Sequence, residues 1–183
     1  MMMPLIFMGS MVSASNISPA VVSFEFKNLI DEQFIVVNDS VMGGRSVSEL
    51  QVLKNAALYR GDVSLKNNGG FASVRMIWPF DEVSKDVVKL KVQGDGKSYQ
   101  LRFRTDKGFN GAAYGQSFQT TKGITQTFTF NVSDFVPTYR GRVLRNMPKL
   151  DLLNVEQFGI MVADKQIGDF ELSLLRIELD SER

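Results

Sequence analysis

The chain has 183 residues, 44% hydrophobic and 22% charged, which fits one water-soluble globular domain with an ordinary core. A formal net charge of +1 excludes a global field that would draw the chain onto nucleic acid or an acidic membrane, so an electrostatic partner must meet a local patch. With no Cys and no His, there is no disulfide, thiolate or imidazole metal site, cysteine nucleophile or Ser-His-Asp triad, and the residues point to no enzyme, metal or cofactor.

Residues 1–20 stand apart. Met1 to Ala14 carries no charge and centres on Leu5-Ile6-Phe7-Met8, with Val12-Ser13-Ala14 resembling a small-residue cleavage site. Two readings stand open: a short secretory leader, placing the protein in the periplasm or outside the cell, or a disordered start to a cytoplasmic protein. The missing basic residue and Pro4 argue against the leader. No segment is apolar over the ~18 residues a transmembrane helix needs.

Residues 21–183 read as one domain. From Phe24 and Phe26 onward the dominant period is two. Val88, Leu90 and Val92 alternate with lysines, Tyr99, Leu101 and Phe103 with Gln and Arg, and Phe128 and Phe130 with Thr. Phe158, Ile160 and Val162 repeat the pattern, as do Phe170, Leu172 and Leu174 before Ile177 and Leu179. Such alternation describes half-buried strands. Asn67-Asn68-Gly69-Gly70, Gly94-Asp95-Gly96 and Lys107-Gly108-Phe109-Asn110-Gly111 supply the turns. Short helical turns are expected near residues 28–33, 81–85 and 150–155. The fold class is all-β, a jelly-roll β-sandwich.

Five segments are candidates for function. In the first, Asn38-Asp39-Ser40-Val41-Met42-Gly43-Gly44-Arg45-Ser46, an Asx-type turn and paired glycines can form a nest of N–H groups for an anion, with Arg45 as its fork. The plainer alternative is a tight connection whose Arg45 pairs internally. The second, Asn67 to Arg75, leads into a strand with Phe71, Ser73, Arg75 and Ile77 on one face. The third sets Gln100, Arg102 and Arg104 beside Tyr99 and Tyr114, a combination that suits a sugar or peptide if the rings are exposed. The fourth, Asp134 to Lys149, carries Tyr139, Arg140, Arg142, Arg145 and two prolines. It reads as an irregular basic loop that docks an acidic partner or headgroup, or pairs with acids of its own chain. The fifth, Asp164 to Phe170, is a polar hairpin turn whose two carboxylates are too few for a calcium site.

Taken in order, these stretches resemble the complex I intermediate-associated protein 30 family. The resemblance rests on Asn38 to Ser46, Gly61-Asp62-Val63-Ser64-Leu65, Asn67 to Ser73, Gly94 to Tyr99, Asp134-Phe135, Arg140-Gly141-Arg142, Phe158 to Met161, Asp164-Lys165-Gln166 and Gly168-Asp169-Phe170. It implies a galactose-binding-like jelly roll, similar to some carbohydrate-binding modules, and a chaperone-like role in assembling respiratory complex I. The chain shows neither an Arg-rich transit peptide nor a Rossmann glycine fingerprint, so a stand-alone bacterial member is expected. The resemblance carries over no catalytic residue.

Two functions follow. The first is a non-catalytic protein-binding assembly factor whose partner is a respiratory-complex subunit or assembly intermediate. Its contact surface would be Asn38, Asp39, Ser40, Met42, Gly43, Gly44 and Arg45 together with Tyr139, Arg140 and Arg142. The second is a carbohydrate- or small-ligand-binding module anchored by Tyr99, Arg102 and Tyr114. A carboxylate-based hydrolase ranks last, because no two acids pair convincingly in the sequence.

Overall fold

The computed structural model describes residues 21–81, 84–108 and 111–181. The leader-like segment 1–20 lies outside the described residues, as do parts of the expected turns at 81–85 and 107–111. Period-two alternation becomes β1 (Val22–Glu25), β2 (Phe34–Asn38), β3 (Val47–Val52), β4 (Ala57–Val63), β5 (Ala72–Ile77), β6 (Val87–Gly94) and β7 (Ser98–Arg104). The chain continues through β8 (Ala113–Gln119), β9 (Thr125–Asn131), β10 (Val136–Tyr139), β11 (Arg142–Val143), β12 (Gln157–Val162) and β13 (Gly168–Asp180). Short 3-10 turns at Phe26–Asn28, Asp31–Gln33 and Leu152–Asn154 fall at or beside two of the expected helical segments.

Two antiparallel sheets form the sandwich. One runs β3-β4-β13-β6-β9, with β1 also paired to β13. The other runs β11-β10-β8-β7-β12-β5-β2. Inward residues meet in one core. Leu90, Val92, Leu172 and Leu174 from the first sheet face Val74, Leu101, Phe103 and Ile160 from the second, all fully buried. Each such side chain contributes roughly 1.5–3 kcal/mol on burial. Trp78 closes one part of this core, with its ring edge-on to Phe103 at 5.4 Å and to Phe158 at 5.7 Å.

The last strand shows how closely pattern follows structure. Its inward residues are even-numbered through Leu174 and odd-numbered from Ile177. The pairing with β6 slips between Leu174 and Arg176. The extra residue of this β-bulge returns the apolar side chains to the core.

The stretch from Pro137 to Lys149 corrects an expectation. It begins as a hairpin rather than an irregular loop: β10 and β11 pair Tyr139 with Arg142. Arg140 (φ 47°) and Gly141 (φ 77°) make the two-residue turn, both left-handed, as the right-handed twist of the strands requires. Pro137 is tolerated within β10, where its carbonyl accepts from the Leu144 N–H at 2.9 Å.

Candidate functional site

At the end of β2 the chain makes a 3-10 turn over Asp39–Met42, and Gly43 closes it at φ 89°. Asp39 turns inward and is 1% exposed. Its carboxylate accepts from the Ser46 N–H (2.9 Å), the Ser46 hydroxyl, the Gly70 N–H (2.7 Å) and the Phe71 N–H (3.3 Å). The Ser46 hydroxyl oxygen in turn accepts from the Ser64 N–H at 3.0 Å. Burial alone would raise the Asp39 carboxyl, but the Ser46 hydroxyl and the Gly70, Ser46 and Phe71 amides outweigh it and hold the group below its usual 3.8. A Cβ at Gly44 would run into this carboxylate, and one at Gly69 would lie 2.6 Å from its oxygen. Two segments thirty residues apart in sequence thus close around one side chain.

This arrangement corrects the anion-nest reading. Of the amides expected to cradle a ligand, those of Gly43 and Gly44 donate to the Ser40 and Asp39 carbonyls, and that of Ser46 to the Asp39 carboxylate. Arg45 is exposed and forms no hydrogen bond or ion pair with a described residue, so the internally paired alternative also fails among the described residues. The cage leaves an exposed crest: Val41 is 70% and Met42 67% exposed, with Ser40 and Arg45 beside them and Val47 close behind.

The third segment divides by face. Tyr99 and Tyr114 are 1% and 2% exposed and belong to the core. The Tyr99 hydroxyl donates to Asp95 Oδ1 (2.9 Å), and that of Tyr114 to the Pro148 carbonyl (3.0 Å). Burial raises both phenols above their usual range. Strand alternation puts Gln100, Arg102 and Arg104 on the opposite, outward face. The expected grouping of Tyr99 and Tyr114 with Arg102 therefore does not form. Instead, Arg102 joins Arg75 and Arg104, a convergence the sequence concealed because Arg75 lies on another strand.

The β10–β11 hairpin presents Arg140 and Arg142, both exposed, with the Arg140 guanidinium 5.3 Å from the centre of the Tyr139 ring. Among the described residues neither arginine has an acidic partner. Yet this hairpin and the Asp39 turn lie at opposite edges of the seven-stranded sheet, with five strands between β11 and β2. At ~4.8 Å per strand the two edges are roughly 29 Å apart, so these segments form two surfaces rather than the single one expected. On the other sheet, Asp62 and Asp169 are cross-strand neighbours that line a groove of about 750 Å3 together with Arg60, Lys97 and Lys122.

This two-sheet architecture defines the class: an all-β protein with a jelly-roll β-sandwich fold. The family 11 carbohydrate-binding module of a Clostridium thermocellum cellulosomal cellulase superposes with a TM-score of 0.65 at 13% identity, covering 90% of this chain and 97% of that one. A module in the agarase AgWH50C superposes at 0.58 with 14% identity, covering 88% of this chain and 25% of the agarase. At these identities the likeness is one of fold. An uncharacterised protein of Schizosaccharomyces pombe is 29% identical over 170 residues, spanning 81% of this chain and 78% of its own. The profile of the complex I intermediate-associated protein 30 family matches residues 22–174, and the chain belongs to that family.

Proposed function

We propose that this protein is a non-catalytic protein-binding module that acts as a chaperone-like assembly factor, with a subunit or intermediate of respiratory complex I, or of another membrane complex, as its client. The family to which the chain belongs supports an assembly-related role. The observation that carries the reading is the crest on the Asp39 turn. Val41 and Met42 stand exposed on a loop that four hydrogen bonds to one buried carboxylate hold in place. Apolar side chains on a braced loop lose little conformational freedom on docking, and the nearby Arg45 supplies a charge for orientation. The absence of His and Cys supports a binding role over turnover.

The test is affinity capture from native membranes at low and moderate salt, comparing wild type with Val41→Glu plus Met42→Glu. Specific enrichment of respiratory-complex subunits that disappears in the double variant supports the reading. Enrichment that is absent, or unchanged by the variant, refutes it.

A carbohydrate-binding role is the second reading, favoured by the fold shared with a module that has been solved in complex with a β-1,3-1,4-mixed-linked tetrasaccharide. Against it, the outward positions of β5, β7, β8 and β12 offer no aromatic ring for a sugar to stack on. Binding of that tetrasaccharide, measured by calorimetry, separates the two.

A further inference from the structure

Across the middle of the seven-stranded sheet, register sets one outward row: Ile35, Arg75, Gly159, Arg102, Gly115 and Val136. Arg75 and Arg102 flank Gly159 at about two strand spacings, roughly 10 Å. Arg104 follows Arg102 on the same face, opposite Gln157. Three guanidiniums therefore share one patch of sheet.

Among the described residues, the surroundings of Arg102 are poor in counter-charge. Arg102 reaches the Met161 sulfur (3.2 Å) and the Thr138 hydroxyl (3.3 Å), both weak or neutral acceptors, and its Nε is buried with no partner among the described residues. Arg104 donates to the Gly111 carbonyl at 2.7 Å. Burial first, then the like charge of Arg75, pulls Arg102 below its usual range. Burial, Arg75 and Arg102 push Arg104 down to about 10 against the opposing pull of Asp106. Asp106 bears on Arg75 and Arg104, while among the described residues no carboxylate shifts Arg102.

The floor beside Arg102 is bare. Gly159 has to be glycine, because a Cβ there would strike the Val74 carbonyl. Gly115 is under no such constraint: a Cβ would meet the Arg102 Cγ at 3.7 Å, an ordinary contact. With no side chain at Gly115, nothing from that position covers the Arg102 stem, and a larger residue there would lie against it and against Gln100.

We propose that this row is a binding site for a small oxyanion ligand, one bearing a phosphate or clustered carboxylates, held by Arg102 with Arg75 and Arg104 on either side. A guanidinium fork matches the oxygens of either group, and rigid strands set the three forks before the ligand arrives. The ligand supplies the counter-charge that Arg102 lacks. This site is independent of the Val41–Met42 crest and of any protein client.

The test follows the arginine Nε–Hε resonances by NMR at constant ionic strength while sodium pyrophosphate, citrate or the neutral mixed-linked tetrasaccharide is added. A saturable shift of the Arg102 resonance with pyrophosphate or citrate is expected, and the tighter of the two identifies the ligand as phosphate-like or carboxylate-like. Arg102→Gln weakens that binding roughly tenfold or more. Gly115→Leu, which keeps every charge and covers the floor, does the same and serves alone if Arg102→Gln fails to fold. Arg140→Ala plus Arg142→Ala leaves it unchanged. No saturable shift with either anion, undiminished binding in Gly115→Leu, or loss only in the Arg140/Arg142 variant overturns the proposal.

Discussion

Two sequestered charges in this domain live in opposite circumstances. The Asp39 carboxylate is surrounded by donors of its own chain, which satisfy it with a hydroxyl and three amides. The Arg102 guanidinium has a sulfur, a hydroxyl and a like charge for company. A charge satisfied from within holds a fold together, and its removal strands the donors around it. A charge left without its counterpart costs desolvation free energy that only something outside the fold can offset. The first arrangement marks structure and the second marks a place to bind.

The largest test of this contrast is Asp39→Ala. It leaves buried amides without acceptors and frees the turn, and the expected loss is about 3–5 kcal/mol, read as a fall in urea midpoint. The same contribution fades in acid. Asp39 has a lower pKa folded than unfolded, so its stabilisation is complete above the usual 3.8 and disappears as pH falls through the lower folded value. The gap between wild type and Asp39→Asn should accordingly narrow below about pH 4 and stay constant near neutrality. An equal gap at all pH values would mean that the carboxylate's charge is immaterial.

Tyr114→Phe comes next. It removes the bond to the Pro148 carbonyl while keeping the ring in the core, and should cost about 1 kcal/mol in thermal or chemical melts. Arg140→Gly relieves a left-handed residue in a two-residue turn and should stabilise by up to about 1 kcal/mol. Val41→Glu plus Met42→Glu should move stability by no more than about 0.5 kcal/mol, because the crest is exposed, while abolishing client capture. A large melting shift in that variant would mean the crest packs against the domain.

Much of the fold was legible because burial on one side of a sheet writes period two into the chain. The slip from Leu174 to Ile177 recorded even the bulge in β13. The site was less legible for a definite reason. Alternation tells which residues share a face but not which face looks inward, so Tyr99 and Arg102 could not be assigned to core and surface. The meeting of Arg75 with Arg102 depends on β12 lying between β5 and β7, a non-local pairing. The Asn38–Ser46 motif was visible as a motif, but its cause was not. Gly44 and Gly69 are glycines to make room for Asp39, and that follows only once β2 is beside β5. A signal was present in Asp39 and Ser46, since a short acid and a hydroxyl flanking paired glycines are the parts of a self-capped turn.

The most direct measurement compares Asp39→Asn with Arg102→Met by urea denaturation of the ligand-free protein at neutral pH. The two variants each remove one sequestered charge. Opposite outcomes are expected: a loss of about 2–4 kcal/mol for Asp39→Asn, and for Arg102→Met either no change or a gain of up to about 1 kcal/mol. A comparable loss in both would contradict this, because Arg102 would then be a structural charge like Asp39 rather than one held ready for a ligand.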